Sequence, residues 1–368
     1  MHYPKTLNGK GEVIHVNPQT HLVKNNDDKS PLSDVDRMDH SEVLRSSSLY
    51  LGEVEVAEKS AAGGIRFSGT WYKGIIVPAL YWSVRHLPLF IAMLPVYFVI
   101  GLLRLLYVAP GNLLRESIQS FCKLAEHKGY SYKPRKIYRQ FLINIQYILK
   151  YYLMLYRGGV DAVQSFIEIS PADAEKLEKL RHEYGGVILN VPHNPGSAFA
   201  GLKINMTWPT LIISKNSATI ERTKIQLAFF ERMNIKVLMV RGGNPFELSR
   251  TMFTVLKKKK VVATTLDKID NSEGRIEAEI FNHKVGFSPW AAKIAIKLQV
   301  PQVPVYFMSQ GKTIKAIFGE PLVTNDIDQS VQHYVSFFEK CIYEDPASWS
   351  FLADKEWRRR LCKFSKAQ

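Results

Sequence analysis

The apolar positions of the chain fall into four regimes. Residues 1–70 hold no sustained apolar period and are broken by the polar runs Asn25-Asn-Asp-Asp-Lys-Ser-Pro31 and Arg45-Ser-Ser-Ser48. That composition predicts a disordered extension with at most a short hairpin. No basic-then-apolar start follows Met1, which argues against a secretory signal. The second regime, residues 71–110, is strongly apolar: Ile75-Ile-Val-Pro-Ala-Leu-Tyr-Trp82, then an uncharged run from Leu87 to Leu103, then Arg104-Leu-Leu-Tyr-Val108. The uncharged run sits at the lower edge of the roughly 17 to 25 residues that cross a bilayer, and Pro88, Pro95 and Gly101 weaken a straight helix through it. Arg85 and Arg104 flank it within reach of lipid phosphates, and Trp71, Tyr72, Tyr81, Trp82 and Tyr107 match interfacial anchors. The expectation is a membrane-associating helical segment, peripheral or single-span, with a buried hairpin of the core as the alternative.

From Gly111 the period turns helical. Leu113, Leu114, Ile118, Phe121 and Leu124 mark one helix; Ile137, Phe141, Ile145, Ile148, Leu149, Tyr152 and Leu155 mark a second, ended by Gly158-Gly159. Ser170-Pro171 predicts a third, with Ser as cap and Pro at the first position. Short apolar runs then alternate with helices. Strands are expected at 187–191, 210–213, 236–240, 261–266, 303–307 and 314–318, with an edge strand at 276–281. Helices are expected at 218–233, 245–258 and 289–298. This alternation predicts an α/β fold: a mainly parallel central sheet flanked by helices, preceded by the hydrophobic segment. The expected organisation is an extension over 1–70, the hydrophobic segment over 71–110 and an α/β domain over 111–368.

Charge narrows the partners. The net formal charge is +15, and the first 70 residues hold 8 basic and 10 acidic side chains, so the remainder carries +17. Such a body suits an anionic partner: a membrane surface, a phosphorylated lipid, an acidic carrier protein or nucleic acid. The three cysteines form no CxxC pair, which excludes a disulfide framework and a zinc site and points to a reducing compartment.

Ligands of parallel sheets bind beyond the carboxyl ends of the strands, and three polar strand ends converge on that edge. The first is His193, just after Val187–Val191, where a neutral imidazole can take a proton from a hydroxyl; Asn194 to Ser197 follow it as a turn and a helix cap. The second is Arg241-Gly242-Gly243, a guanidinium with flexible backbone donors suited to a phosphate or carboxylate. The third is Asp267-Lys-Ile-Asp270. Taken singly, each is an ordinary loop.

The order of blocks from about Leu87 to Phe364 resembles the bacterial lipid A biosynthesis acyltransferases, within the broader glycerolipid and lysophospholipid acyltransferase fold. The resemblance lies in the hydrophobic segment, Gly186-Val-Ile-Leu-Asn-Val-Pro-His193, Lys260-Val-Val-Ala-Thr-Thr-Leu-Asp267 and Ser288-Pro-Trp-Ala-Ala-Lys-Ile-Ala295. It continues through Val300-Pro-Gln-Val-Pro-Val305, Phe318-Gly-Glu-Pro-Leu322, Trp349 and Trp357-Arg-Arg-Arg360. It implies transfer of a fatty acyl chain from a thioester donor, acyl carrier protein or acyl-CoA, to a hydroxyl of a lipid or glycolipid at the cytoplasmic face of a bacterial inner membrane. His193 would be general base, with Arg241, Gly242, Gly243, Asn194 and Ser197 around the substrate and neither metal nor redox cofactor required.

One position departs from the family pattern. The family histidine is followed five residues later by an acid that orients the ring, and here that position is Ala198. Three arrangements stay open: Asp267 or Asp270 replaces the acid in space; Ser197 or a backbone carbonyl holds the ring; or the protein is a noncatalytic lipid- or acyl-carrier-binding relative. Ser197 as a covalent nucleophile is disfavoured, since PHNPGSAFAG lacks the G-x-S-x-G elbow. Lys257–Lys260 ends a helix, where cations favour the dipole, and no Walker loop, dinucleotide turn or nucleic-acid signature occurs, so no nucleic-acid partner is expected. His283 reads as a surface residue.

Overall fold

The computed structural model describes residues 86–215, 236–240 and 245–367, together with the two-residue strands β1 (Thr6–Leu7) and β2 (Val13–Ile14), which pair antiparallel. Two compact units are present. One takes residues 1–67, 213–231 and 236–251 and contains β1, β2 and a strand at Lys236–Val240. The other takes residues 68–212, 232–235 and 252–368 and carries the elements described below apart from residues 213–215, 236–240 and 245–251, which fall in the first. The predicted helix at 218–233 lies outside the described residues.

The apolar segment opens the larger unit as α1 (Leu89–Ala92) and α2 (Leu94–Leu105), finished by a 3-10 turn to Val108. Pro88 precedes the first helix and Pro95 occupies the first turn of the second, both positions where a missing N–H costs nothing. Helix α3 (Leu113–His127) begins on Asn112, whose side chain accepts the Arg115 N–H at 3.0 Å. Helix α4 (Pro134–Gly158) is the longest in the described chain and buries Ile137, Phe141, Ile148 and Leu155 at helical spacing. A short α5 (Asp161–Gln164) and β3 (Ile167–Glu168) lead to α6 (Pro171–Tyr184). There Ser170 caps the Asp173 N–H at 3.1 Å, with Pro171 at the first position as expected. Gly185 closes that helix with φ +76°, the left-handed conformation only glycine takes cheaply.

The sheet is built from β4 (Val187–Val191), β5 (Thr210–Lys215), β7 (Val261–Thr265), β10 (Gln302–Gln310) and β11 (Thr313–Phe318) with β3, numbering the Lys236–Val240 strand as β6. Strand order through its centre is β3-β11-β10-β4-β7-β5. Pairings β3 to β11, β10 to β4 and β4 to β7 are parallel, and the β10–β11 hairpin is antiparallel. β4 is buried at every position, as a strand covered by helices on both faces must be. Helices α7 (Ser197–Thr207), α9 (Trp290–Leu298), α10 (Ile327–Glu344) and α11 (Lys355–Ala367), with α8 (Pro245–Lys257) before β7, complete the chain.

Two expectations are corrected. The strand at 276–280 is not an edge of the central sheet: among the described residues β8 (Ile276–Ile280) pairs with β9 (His283–Phe287) in a separate hairpin, turning on Phe281 and Asn282 at positive φ. Helix α10 was not anticipated, although Val331, Tyr334, Val335, Phe338, Cys341 and Ile342 mark its buried face. The mixed α/β architecture itself, with a mostly parallel sheet flanked by helices and one apolar helical segment near the N-terminus, is as expected.

Candidate active site

β4 and β7 are neighbours in parallel register, Val187 opposite Val261 and Val191 opposite Thr265. The ladder continues past the strands, the Leu266 N–H donating to the Val191 carbonyl at 3.1 Å. Carried two residues further, the same register sets His193 opposite Asp267. The side chains meet there: His193 Nδ1 lies 2.5 Å from Asp267 Oδ1, and the His193 backbone N–H donates to Asp267 Oδ2 at 2.8 Å. Pro192, which has no N–H to give a ladder, ends the strand and lets the next residue turn out of the sheet.

Asp267 is sealed and His193 is open. The Asp267 side chain is 3 % exposed and that of His193 is 37 % exposed. With Nδ1 on the carboxylate, Nε2 is the free end of the ring and has no partner among the described residues. The carboxylate therefore fixes the tautomer that carries its proton on Nδ1 and presents Nε2 as a lone-pair acceptor. Burial pulls the His193 pKa down, and the charge and hydrogen bond of Asp267 together outweigh it, so the ring titrates above its ordinary value. Lys268 opposes that rise and Asp354 adds to it.

A third element closes around the pair. Two 3-10 turns, Pro346–Ser348 and Ser350–Ala353, carry Trp349 and Phe351 past the ends of β4 and β7. The Trp349 indole N–H donates to Asp267 Oδ2 at 2.9 Å, and the Trp357 indole N–H donates to the Asp267 backbone carbonyl at 2.8 Å. Phe351 stacks on the His193 ring, centroids 4.2 Å apart and planes 20° from parallel. The Ser350 N–H bonds the His193 carbonyl at 2.7 Å. Trp349 and Trp357 stood in the sequence as end markers of a resemblance; the positions of their N–H groups on one carboxyl residue were not legible there.

Asn194 and Ser197 are structural in this arrangement. Asn194 is buried, its Nδ2 donating to the Ser348 carbonyl and its Oδ1 accepting the Phe307 N–H at 3.2 Å, so it ties β10 to the turn that carries Trp349. Ser197 is the first residue of α7 and not its cap; Gly196 holds the cap position, and the Ser197 hydroxyl donates to the Asn194 carbonyl at 2.9 Å. Asp270 is not brought to the ring: its Oδ1 accepts the Ser272 N–H at 2.9 Å in a local turn. Arg241, Gly242 and Gly243 lie outside the described residues. His283 stacks on Phe364 at 4.0 Å, and burial lowers its pKa. No group of three or more His, Cys, Asp or Glu side chains with metal-binding geometry occurs among the described residues. A cavity of about 670 Å³ between α3 and α11, lined in part by Cys122, Tyr130, Tyr132 and Cys362, does not include His193.

The family model for bacterial lipid A biosynthesis acyltransferase matches residues 133–359, more than half of the chain and the whole of this constellation. The chain belongs to that family. Comparison with curated proteins gives no match. Within this lipid A acyltransferase-family protein, the matched span begins at the first turn of α4 and ends inside α11, so it includes β4, β7 and the Trp349 turn and leaves α1–α2 outside. Ala198, where the family resemblance leads one to expect an acid, is the second residue of α7, and the carboxylate on the ring comes from Asp267, two residues past the end of β7.

Proposed function

We propose that this protein transfers a fatty acyl chain from a thioester donor, acyl carrier protein or CoA, to a hydroxyl of a lipid or glycolipid, with His193 as general base and Asp267 as the group that orients it. The observation that carries the reading is the His193–Asp267 contact at 2.5 Å on an imidazole whose Nε2 has no partner among the described residues. The acceptor hydroxyl oxygen attacks the thioester carbonyl carbon as Nε2 takes its proton. The imidazolium so formed is stabilised by the buried carboxylate beside Nδ1. Collapse of the tetrahedral oxyanion breaks the carbon–sulfur bond, and the departing thiolate takes the proton from His193, leaving an ester and a free thiol on the carrier. On sequence grounds Arg241, Gly242 and Gly243 are assigned to the anionic head group or the oxyanion. None of these steps calls for a metal or redox cofactor.

Membrane attachment belongs to the same proposal. Residues Leu89–Val108 form an apolar helical stretch of mean hydropathy 2.3. It lies along α4, tied by the Tyr138 hydroxyl to the Leu103 carbonyl at 2.8 Å and by Arg157 to the Leu87 carbonyl. Met93 and Ile100, two turns apart, are its buried stripe, while Phe90, Phe98, Leu105 and Val108 stand largely exposed. From Lys133 to Gly158, α4 and its cap contain no Asp or Glu and carry Lys133, Arg135, Lys136, Arg139, Lys150 and Arg157. An apolar helix laid on an acid-free basic helix suits the interface of an anionic bilayer, apolar residues in the acyl region and cations at the phosphates.

The deciding experiment is acyl transfer in mixed micelles from labelled acyl carrier protein or acyl-CoA to lipid acceptors, followed by mass spectrometry of the product. Wild-type protein is expected to form the ester and His193→Ala to abolish it without loss of folding. Biological activity that survives His193→Ala would instead establish the noncatalytic relative that the alanine at 198 otherwise suggests.

A further inference from the structure

Asp267 is a buried carboxylate with three described donors, and they are not equivalent. Two come from residue 193 itself, its Nδ1–H on Oδ1 and its backbone N–H on Oδ2. The third, the Trp349 indole N–H on Oδ2, comes from a different part of the chain. Trp349 has no solvent exposure and is held by Trp357, centroids 5.0 Å apart and edge to face, and by Phe281 at 6.0 Å. An indole wedged in that way has one direction in which to point its N–H, and it points at the acid.

We infer that Trp349 is a positioning residue for the base: its N–H holds the Asp267 carboxylate in the plane that faces the imidazole and draws charge toward Oδ2, away from the oxygen that bonds His193. This rests on His193 acting as the base. The physical argument concerns balance. A neighbouring carboxylate orients the ring, but it also favours the protonated imidazole, which cannot accept a proton. A hydrogen bond to the ionised form on the opposite oxygen weakens that second effect while strengthening the first. Of the other charges near the ring, Lys268 works in the same direction as Trp349 and Asp354 against it. Trp357 makes a useful contrast, since its indole bonds the backbone carbonyl of Asp267 and not the carboxylate.

The test compares full-length Trp349→Phe with wild type in detergent micelles, reading the His193 titration midpoint by NMR of nitrogen-labelled imidazole and, separately, the pH dependence of kcat and KM. Loss of the N–H is expected to raise the midpoint by about 0.5 to 1 unit. It should move the acid limb of kcat up by the same amount and lower kcat at neutral pH about 3- to 10-fold with KM little changed. Trp357→Phe, which keeps both donors on Oδ2, is expected to leave the midpoint where wild type has it. Should Trp349→Phe not fold, benzothienylalanine at 349 removes the N–H at nearly constant volume. An unmoved midpoint in a folded 349 variant overturns the inference, whatever happens to stability. If the midpoint moves but wild type transfers no acyl group, the hold of the Trp349 N–H on the Asp267–His193 pair stands while the acyltransferase reading, and with it a role for Trp349 in catalysis, falls; if wild type transfers acyl groups and the midpoint stays, the acyltransferase reading stands and the inference falls.

Discussion

The site where β4 and β7 end and the outer face of α1–α2 sit in one compact unit, yet they obey opposite rules of solvation. At the site, buried polar groups are each met by another: Asp267 by His193 and Trp349, Asn194 by Ser348 and Phe307. Along α1–α2, large apolar groups are left in the open, Phe98 at 74 % and Leu105 at 75 % exposure. Burying an unpaired carboxylate costs several kcal/mol, so the first region exists only if its partners are all in place. Exposing a run of apolar side chains is tolerable only if the surrounding medium is not simply water. The first region spends its burial on paired polar groups, and the second leaves an apolar flank uncovered, which is the feature behind the proposed membrane attachment.

That contrast predicts separable losses. His193→Ala should lower kcat by at least about 10⁴-fold, through loss of the base, and leave vesicle binding unchanged. Asp267→Asn keeps shape and burial but cannot hold the imidazolium. It should cost about 10² to 10³ in kcat, read in the same acyl-transfer assay, with circular dichroism confirming the fold. On the other flank, Phe98→Ser and Leu105→Ser each remove about 1.5 to 3 kcal/mol of apolar transfer and should weaken partitioning to anionic vesicles by about 10- to 100-fold. Co-sedimentation measures that loss, and kcat on a detergent-dispersed acceptor should stay within about twofold of wild type, as expected for a residue remote from the chemistry. A parallel loss of both properties in either pair would erase the distinction between the regions.

Finer predictions sharpen the first region alone. Because Asp267 holds the His193 ring above its ordinary pKa and the proposed mechanism uses the neutral ring as base, kcat should fall as pH drops through that raised value. The fall should be close to tenfold per pH unit on the acid side and flat above it. A stopped assay across the acidic to mildly alkaline range checks this. The smallest effect is expected at Asp270. Its side chain serves a local turn, so Asp270→Asn should change kcat by less than about twofold, and a larger loss would place that acid at the ring in the working enzyme.

Strands were legible where composition alone decides them. β4, β6 and β7 appear within a residue of expectation because each is a short run of β-branched and apolar residues bounded by turn-formers. The β8–β9 hairpin was half seen: Ile276–Ile280 alternates as a strand should, but nothing local says whether it joins a large sheet or pairs with its neighbour. The Asn194 to Ser197 segment was legible as a turn and cap, but which residue takes the cap position was not: Gly196 does so with its backbone alone. The approach of Asp267 to His193 was one arrangement among three, since a separation of 74 positions along the chain fixes no distance.

What the sequence by itself determined was the set of local facts: a parallel-sheet fold, a histidine at a strand end, an apolar flank with basic neighbours, and a missing acid at Ala198. Tertiary structure alone decided which carboxylate meets the His193 ring. The parallel register of β4 on β7 repeats one offset for five residue pairs and, continued past both strands, delivers a carboxylate to the ring. Register is a relation between two segments set by which faces must be buried together, so it leaves no mark in either segment alone.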